Sequence, residues 1–597
     1  MPDTPTSTVA SSSPDTKAAH EFLTELTTRI ATQRLPYQDG DEQAALESLA
    51  SLFPKGRAII HTNPGCKVAK VAIEDVLNDI LRPFTAKWHR QSIEGRLAGR
   101  DGADTFREEL LGVQDKVRAF AGKLADIAAG GTGANPVELK WSDATPREEA
   151  LAADMASLLL ANARVIDPAS MLDANASILL KDGLVHAVGD ESALGAPADV
   201  ERIDCHGKIV CPGLIDLHVH LREPGQTSKE TILTGARAAA RGGFTTVVCM
   251  PNTSPSIDSA STVALIQEKA RDAAVRVEVT GALSKGIAGE ELAPIGSLAR
   301  AGVVALTDDG HCIQNNDLMR RALEYARQFG LPVMDHCQDY GLVTDGVMHE
   351  GHWSLVLGLR GWPSAGEEMV VARNILLAEQ TGTHVHCQHL SAAGSIRLLR
   401  EAQRRGVPIS GEACPHHFVL TDACIAGSDA FWREDGAELA RQWFGPGTPP
   451  AWPPYHTHWK MNPPLCSASD RAAILEGLVD GTLSIIASDH APHTETEKEV
   501  EFDFAPFGIV GLETELALSL MQLHHAGRLP LPEMLAKLTC NPARLLRLDG
   551  GRGTLAVGSV ADVTVIDPDL GWTCDRHETA SKSRNNPFHG WKLKGRA

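Results

Sequence analysis

The chain has 597 residues, which exceeds the size of one ordinary hydrophobic core and predicts two to four domains. Its formal net charge of −20 excludes a general nucleic-acid binder or a binder of anionic membranes, because both functions need a basic surface. No apolar run reaches the length of a membrane-spanning helix, and the N-terminus lacks the pattern of a signal peptide. The twelve cysteines are scattered without a CxxC pair, which is typical of reduced thiols in a cytoplasmic protein.

The first part of the chain is predicted to be helical. Residues 1–17 are rich in Ser, Thr and Pro, and we expect them to form a disordered tail. Residues 18–130 carry apolar residues at helical spacing and predict a separate helical module, in which Pro83 should end a helix that begins at Val68. Residues 131–157 have the composition of a linker. The sequence of the module indicates no catalytic or metal site, so its role stays open.

Short β segments flank a central block of alternating strands and helices. Residues 158–212 and 549–597 have turn-rich, strand-like patterns, so we expect them to fold together into one small β-sandwich. Residues 213–548 alternate eight apolar, strand-like runs with stretches that are mostly long enough for a crossover helix. This α/β pattern predicts a (β/α)₈ TIM barrel. Residues 426–458, rich in Trp, Pro and Gly, follow the seventh run and predict an inserted flap or surface excursion.

Several of the eight runs end in residues that bind metals. The first run ends in His218 and His220, whose side chains lie on one face of an extended strand. The ends of the fourth, fifth, sixth and eighth runs carry Asp308-Asp309, His336, His389 and Asp489. Because the carboxyl ends of barrel strands share one rim, we expect these side chains to converge. Imidazole and carboxylate suit Zn²⁺ or a similar ion, and five or six ligands predict two ions rather than one.

Two adjacent metal ions favour a hydrolytic reaction or its reverse. They lower the pKa of a water molecule between them and polarise a carbonyl oxygen. Asp489 lies in the segment SDHAPH, where a carboxylate beside the metals can carry a proton to a leaving nitrogen. His384 and His386 form a second pair in the middle of the sixth run, and we interpret them as packing residues or as contacts of the ligands.

Nine motifs mark residues 158–597: PGLIDLHVHLREPG, ARGGFTTVVCMPNTSP, ALTDDG, DHCQD, QHLS, CPHH, KMNPPL, ASDHAPHT and APFGIVGLET. Together they resemble the amidohydrolase superfamily and, within it, the dihydroorotase family of bacterial type. The resemblance implies a distorted barrel with a β-sandwich built from both ends of the catalytic region. The implied activity is the reversible cyclisation of N-carbamoyl-L-aspartate to L-dihydroorotate, a step of pyrimidine synthesis that uses a metal-bridged hydroxide.

The family pattern also implies the residues of the site. The implied metal ligands are, for one ion, His218 and His220 and, for the other, His336 and His389. Asp309 is the implied bridging ligand, where many relatives have a carboxylated lysine, and Asp489 is the implied ligand and proton carrier. The implied substrate contacts are His220, Arg222, Asn252, Asn462, His493 and the backbone of Phe507 and Gly508. Arg222 suits a substrate carboxylate, which an uncharged hydantoin lacks.

The resemblance implies two divalent metal ions, with Zn²⁺ as the expected metal, a small-molecule substrate and a homo-oligomer. Two other functions stay open. One is another cyclic amidase of the dihydropyrimidinase, hydantoinase or allantoinase kind, although Arg222 and the absence of a lysine in the fourth run argue against it. The other is a non-catalytic partner of aspartate transcarbamoylase, because some family members have lost metal ligands. The complete ligand set argues against an inactive chain, but association with a transcarbamoylase stays open.

Overall fold

The computed structural model describes residues 13–27, 42–93, 100–130, 157–197 and 200–597. The chain divides into two compact units, Met1–Met155 and Ala156–Ala597. Residues 1–12 of the predicted tail and residues 131–156 of the predicted linker lie outside the described residues. Within the described ranges, every helix is too short or too polar to cross a membrane.

The first unit is built from helices. Its described helices are Pro14–Thr27, Glu42–Ala50, Leu52–Thr62, Val68–Asp75, Val76–Leu81, Arg82–Ile93 and Arg100–Ala128, of which Val76–Leu81 is a π-helix. Their apolar residues form one core that includes Trp88 and Phe106, whose rings meet edge to face at 5.1 Å. The first helix includes residues 14–17 of the predicted tail. The predicted helical character of this part of the chain is confirmed.

The prediction that Pro83 ends a helix is wrong. Val68–Asp75 continues through the π-helical turn into Arg82–Ile93, so Pro83 is the second residue of the next α-helical segment. Proline is tolerated near the start of such a segment because it lacks the N–H that would otherwise need a partner. The π turn shifts the hydrogen-bond pattern by one residue and creates that start within a continuous helix.

The second unit contains an eight-stranded parallel barrel. In chain order its strands are Leu214–Val219, Phe244–Cys249, Arg276–Gly281, Ala305–Leu306, Val333–Asp335, Val385–Cys387, Ile409–Ala413 and Ile485–Ile486, and each pairs with the next. The longer helices between them are Ile232–Gly242, Ala260–Lys269, Asn316–Gln328, Ala365–Thr381, Ala393–Arg404 and Ala468–Asp480. A parallel bridge between Val219 and His490 brings the last strand end beside the first, so the barrel is nearly closed. The predicted barrel is confirmed.

Short helices connect and cover the barrel. They are Ile295–Arg300, Tyr340–Val343, His352–Leu357, Pro415–Val419, Ser428–Arg433, Ala437–Phe444, Glu495–Lys498, Glu515–Ser519, Leu520–His525, Leu531–Ala536 and Cys540–Leu546. A small two-stranded sheet pairs Met348–His349 with Gly361–Trp362. Pro415–Val419 and Glu495–Lys498 follow strand ends at the carboxyl rim, where active sites of this architecture lie. Leu538, just before Cys540–Leu546, instead bonds to Ile215 at the beginning of the first barrel strand.

The two ends of the second unit join in one mixed, seven-stranded sheet, which we call the β-domain. Its strands are Leu158–Asp167, Leu172–Lys181, Leu184–Gly189, Glu201–Asp204, Ile209–Pro212, Val563–Thr573 and Lys592–Arg596. Val565 pairs antiparallel with Val210, which links residues on opposite sides of the barrel sequence. This joining of both ends confirms the predicted amidohydrolase-type architecture.

The apolar run that leads to His218 forms two strands rather than one. Ile209–Pro212 belongs to the β-domain, and Leu214–Val219 is the first barrel strand. Gly213 lies between them, where an added Cβ atom would lie only 2.0 Å from Oγ1 of Thr245. The missing side chain lets the backbone pass closely from one sheet to the other.

Residues 426–458, predicted as an inserted flap or surface excursion, include the helices Ser428–Arg433 and Ala437–Phe444, which pack near the last strand of the β-domain. The ring centroids of Trp432 and Trp443 lie 4.8 Å and 5.6 Å from that of Trp591, which is 1% exposed. Aromatic pairs at these separations stabilise a contact beyond the area they bury. The excursion thus supports the segment that leads into Lys592–Arg596.

Candidate metal centre

Six side chains from the ends of five barrel strands converge at the carboxyl rim. They are His218, His220, Asp309, His336, His389 and Asp489. All are buried, and the most exposed of them, His220, is 7% exposed. Parallel barrel strands bring their carboxyl ends to one rim, so residues distant in the sequence meet there.

One half of the centre combines the first and eighth strands. His218 and His220 face the same way because they are two residues apart in an extended backbone. Nε2 of His220 lies 3.0 Å from Oδ1 of Asp489, and Nε2 of His218 lies 3.5 Å from the same oxygen. Ligands that each lie about 2 Å from one zinc ion are separated by roughly 3 to 4 Å. These three atoms therefore have the spacing of ligands to one ion.

The other half combines the fourth, fifth and sixth strands. Oδ1 of Asp309 lies 3.6 Å from Nδ1 of His336 and 3.7 Å from Nε2 of His389. Asp309 also reaches the first half, because its Oδ1 lies 3.2 Å from Nε2 of His218 and its Oδ2 lies 3.5 Å from Nε2 of His220. A carboxylate between two sets of imidazoles is placed to bridge two ions.

Hydrogen bonds on the outer side orient three of the imidazoles. Each ring donates one N–H to a side-chain oxygen: His218 to Glu412 at 2.8 Å, His220 to Asn252 at 2.9 Å and His336 to Gln338 at 2.8 Å. A neutral imidazole that carries its proton on one nitrogen keeps a lone pair on the other. The lone pairs of His218 and His220 face the carboxylates of the centre. Nδ1 of His336 lies 2.9 Å from Nε2 of His389 and 3.6 Å from Oδ1 of Asp309. All three lone pairs are directed into the centre, as metal ligation requires.

The centre also contains buried polar atoms that the protein leaves without hydrogen bonds. Nε2 of His218 and Oδ1 of Asp309 lie 3.2 Å apart without hydrogen-bond geometry, and neither atom has a hydrogen-bond partner among the described residues. An unpaired buried polar group costs about 1–3 kcal/mol, and a coordinated cation removes that cost for both atoms. Four imidazoles and two carboxylates, with these lone pairs directed inward, fit a binuclear centre for divalent metals.

The carboxylates of the site are held in their charged form. Burial alone would raise the pKa of the Asp309 carboxyl, but the positive charge of His218 in its protonated form, followed by close polar contacts with His218, His336 and His389, holds it well below its usual value. Burial also opposes ionisation of Glu412, yet hydrogen bonds from His218 and His386 lower its pKa to about 2. Both groups are therefore negatively charged at neutral pH and favour the binding of cations.

We expect Glu412→Gln to weaken zinc binding by about 10–100-fold, which is typical when a hydrogen-bond acceptor of a metal ligand is lost. Glu412 accepts Nδ1–H of His218 and, at 3.2 Å, the backbone N–H of His389. The affinity can be measured by competition with a chromophoric chelator. Asp167→Asn is the control, because it removes an equally buried, hydrogen-bonded carboxylate in the β-domain. Equal zinc affinity in Glu412→Gln and the wild type would contradict this role.

Arg222 lies beside the centre, two residues after His220. It is 8% exposed, its Nε–H donates to the carbonyl oxygen of Pro492 at 3.2 Å, and its Nη2 lies 3.4 Å from Nε2 of His493. Burial lowers the pKa of the guanidinium to about 10, so the group stays cationic at neutral pH. Its hydrogen bonds to described residues use Nε and Nη2, which leaves Nη1 available to an anionic ligand.

Asn252 and Asn462 bond to the residues around the metal ligands. The amide oxygen of Asn252 accepts from His220, and its Nδ2 lies 3.4 Å from Oδ2 of Asp309. Asn462 donates through Nδ2 to the amide oxygen of Gln338 at 3.3 Å, while its own Oδ1 is buried without a partner among the described residues. Asn462 therefore keeps an acceptor for a ligand, whereas both polar groups of Asn252 contact candidate metal ligands, His220 and Asp309.

Asn585, from the C-terminal part of the chain, fastens two segments that were predicted to contact substrate. It is 1% exposed; its Nδ2 donates to the carbonyl oxygen of Gly508 at 3.0 Å, and its Oδ1 accepts the backbone N–H of His493 at 3.2 Å. The N–H of Gly508 donates to the backbone carbonyl oxygen of Lys460 at 2.9 Å. Both backbone polar groups of this glycine therefore bond to protein. The Phe507 ring lies 4.6 Å from Nζ of Lys460.

The sequence analysis missed Glu412, Gln338 and Asn585. Glu412 had a usable signal, because a carboxylate inside an apolar, buried strand needs a partner. Gln338 had a weaker signal, its spacing of two residues from His336. Asn585 had none, since it bonds to a residue 92 positions away in the sequence.

Known proteins resemble this chain in both sequence and fold. A family model described as "Dihydro-orotase-like" matches residues 207–395. A dihydroorotase from Pelotomaculum thermopropionicum is 48% identical over 438 residues, which cover 73% of this chain and 95% of that relative. A dihydroorotase from Citrifermentans bemidjiense is 49% identical over 442 residues, which cover 74% and 97%. The solved L-hydantoinase (dihydropyrimidinase) from Arthrobacter aurescens shares the fold, with a TM-score of 0.62, 22% identity and coverage of 74% and 93%.

These similarities agree with the geometry of the rim. Nearly half of the aligned residues are identical over almost the full length of the two dihydroorotases. The solved hydantoinase supports the fold alone, because its sequence identity is low. Buried His and Asp clusters occupy the position in the barrel where the resemblance implies two metals. The chain therefore belongs to the dihydroorotase family of the amidohydrolase superfamily.

Proposed function

We propose that this dihydroorotase interconverts L-dihydroorotate and N-carbamoyl-L-aspartate at the centre described above. Both molecules carry a carboxylate close to the amide bond that forms or breaks. The observation that carries the proposal is the buried guanidinium of Arg222 beside the metal ligands. A cationic group that can bind the substrate carboxylate thus lies beside the metal centre that would bind the ring amide.

The six ligands would hold two divalent ions, which when bound acidify a water molecule and polarise the ring amide carbonyl. We propose Zn²⁺ for both positions, because it accepts mixed imidazole and carboxylate ligands at these spacings. The protein supplies the orientation: Glu412, Asn252 and Gln338 hold the imidazoles so that the lone pairs face inward. Elemental analysis of the purified protein, followed by chelation and re-addition of zinc, tests the identity of the metal through loss and recovery of activity.

Asp489 is the proposed proton carrier. Its backbone has φ of +46°, a conformation that residues other than glycine rarely adopt and that often marks functional positions. In hydrolysis, its carboxylate takes a proton from the water that attacks the ring amide carbon, and gives it to the ring nitrogen as the C–N bond breaks. In cyclisation the proton moves in the reverse direction, from the carbamoyl nitrogen to the carboxylate and then to the departing water.

His493 is proposed to hold the guanidinium of Arg222 in place. Burial, followed by the charge of Arg222, keeps the pKa of the His493 imidazole far below its usual value. The ring is therefore neutral at neutral pH, and its Nε2 accepts from Nη2 of Arg222 at 3.4 Å. Arg222 can then direct Nη1 to the substrate without competition from a second cation.

A substrate panel tests the proposal. Purified full-length protein should give its highest kcat/KM with L-dihydroorotate among dihydroorotate, dihydrouracil, hydantoin and allantoin. A higher kcat/KM for an uncharged ring would replace the proposal with a cyclic amidase of the dihydropyrimidinase, hydantoinase or allantoinase kind. Metal-loaded protein without turnover in either direction would favour a non-catalytic partner of aspartate transcarbamoylase.

We expect Asn585→Ala to raise KM for dihydroorotate by about tenfold, with little change in kcat. The substitution removes hydrogen bonds worth roughly 1 kcal/mol each that hold His493, Gly508 and, at 2.9 Å, the carbonyl of Ala491. Steady-state kinetics measure the effect. Asn586→Ala is the control, because this neighbour is equally buried but bonds to neither His493 nor Gly508: its side chain accepts the N–H of Phe588 at 2.8 Å and donates to the sulfur of Cys574 at 3.7 Å. Similar KM changes in the two variants would contradict a positioning role for Asn585.

Self-association and association with an aspartate transcarbamoylase stay predictions that rest on the family resemblance. Size measurements of the full-length chain, alone and mixed with a transcarbamoylase, test both. A monomer in both samples would contradict them.

A further inference from the structure

A second cluster of metal-binding side chains lies outside the six-residue centre. Cys414, His416 and His417 follow the seventh barrel strand, at the beginning of helix Pro415–Val419. The sulfur of the cysteine and one nitrogen of each imidazole lie within 4.8 Å of one another. All three residues are buried, and the most exposed, His416, is 2% exposed. These residues belong to the motif CPHH, but neither the implied set of metal ligands and substrate contacts nor the proposed reaction uses their side chains.

A hydrogen bond determines which nitrogen of His417 carries the proton. Nε2 of His417 lies 3.0 Å from the carbonyl oxygen of Pro463, which only accepts, so Nε2 donates. In the neutral ring with its proton on Nε2, Nδ1 holds a lone pair. Nδ1 has no hydrogen-bond partner among the described residues. An imidazole that donates one N–H to a carbonyl and presents the other nitrogen is typical of a metal ligand.

His416 adds a second unpaired nitrogen. Its Nε2 is buried and has no partner in the described part of the chain, and its ring centroid lies 4.3 Å from that of His417. Ordinary packing of two histidines does not explain this arrangement, because each unpaired buried group costs about 1–3 kcal/mol. The thiol of Cys414 offers one weak donor for two acceptors. A single cation would satisfy all three groups.

We propose that Cys414, His416 and His417 bind a third divalent metal ion, with Zn²⁺ as the best match, at a site separate from the catalytic pair. One thiolate and two imidazoles select zinc over Mg²⁺ and Ca²⁺, which prefer oxygen ligands. On binding, the S–H bond of Cys414 breaks, a sulfur–metal bond forms and the proton leaves to solvent. No oxidation or reduction takes place.

The position of the cluster indicates a structural role. His417 connects the end of the seventh strand to Pro463, the residue after Asn462. The family resemblance implies that Asn462 contacts substrate, and its buried Oδ1, which has no partner among the described residues, can accept from a ligand. This point alone depends on the proposed function. The ion would fix the orientation of His417 and, through its N–H, the backbone next to Asn462.

Cobalt substitution of the full-length protein tests the site. The six ligands of the catalytic pair supply only nitrogen and oxygen, so a sulfur-to-cobalt charge-transfer band in the near ultraviolet reports a cysteine ligand. We expect this band in the wild type and in Cys424→Ser, but not in Cys414→Ser. Cys424 is a matched control, because it is equally buried and its thiol belongs to none of the His, Cys, Asp and Glu clusters found among the described residues. After zinc loading and dialysis against metal-free buffer, the wild type and Cys424→Ser should each contain three zinc ions per chain. Cys414→Ser should contain two.

Two zinc ions per wild-type chain, or a wild-type cobalt spectrum without the band, would overturn the proposal. A band that persists in Cys414→Ser would also overturn it. If Cys414→Ser does not fold, the wild-type band and zinc count decide the question. A protein with three zinc ions and no turnover of dihydroorotate would refute the proposed function and leave this site supported.

Discussion

Asp489→Asn should reduce kcat for hydrolysis of dihydroorotate by about 10²–10⁴-fold, the contribution that a positioned proton carrier typically makes. The carboxamide keeps the shape of the side chain but cannot take a proton from water and pass it to the ring nitrogen. Because the Asp489 carboxylate is also a proposed metal ligand, the zinc content of the variant is measured together with its steady-state kinetics in both directions.

The matched control for this variant is Asp422→Asn. Asp422 is also buried, and burial, followed by the charge of Asp435, raises its pKa to about 7, so much of it is already neutral at neutral pH. Its substitution should leave kcat unchanged. A kcat for Asp489→Asn within a few-fold of the wild type, with the zinc content retained, would contradict the assigned proton transfer.

Arg222→Lys should raise KM for dihydroorotate by about 10–100-fold, which corresponds to the loss of one hydrogen bond to a charged group. Lysine keeps the positive charge, but it loses the planar fork and the Nε–H that donates to Pro492. KM for dihydrouracil, which has no carboxylate, should change little. The fold-change in KM for dihydroorotate, divided by that for dihydrouracil, therefore measures recognition of the carboxylate.

The control for the arginine is Arg471→Lys. Arg471 also donates to backbone carbonyls, those of Val419 and Asp435, but it bonds to none of the six metal ligands among the described residues. We expect KM for both substrates to stay at the wild-type value in this variant. An equal rise in KM for dihydroorotate and for dihydrouracil in Arg222→Lys would contradict recognition of the carboxylate. It would show that Arg222 stabilises the structure of the carboxyl rim.

The parts of this protein that follow from regular backbone geometry were predictable from the sequence. The alternation of a strand places His218 and His220 on one face, and the shared rim of a barrel brings Asp309, His336 and Asp489 to them. Neither inference needs distances between side chains. Both depend only on the period of the strand and on the direction in which parallel strands run.

Other features depend on neighbours that are remote in the sequence or on small backbone changes. A π turn allows the helix to continue through Pro83, and close approach to Thr245 requires Gly213 between two strands. In the sequence, Glu412 is recognisable only as a charged residue in an apolar run. Its role becomes clear in the structure, where it accepts a hydrogen bond from His218. Asn585 looks like any polar residue in a loop until its partners are known.

The position of Asn585 in the sequence has a consequence for the order of synthesis. Chains emerge from the ribosome with the N-terminus first, and domains tend to fold as units when they are complete. All eight barrel strands and all six proposed metal ligands come before residue 490, whereas the residue that fastens His493 and Gly508 follows almost a hundred positions later. During translation the chain therefore acquires its proposed metal ligands first. The hydrogen bonds of Asn585 to the proposed substrate contacts His493 and Gly508 form only when the C-terminal part of the β-domain has been made.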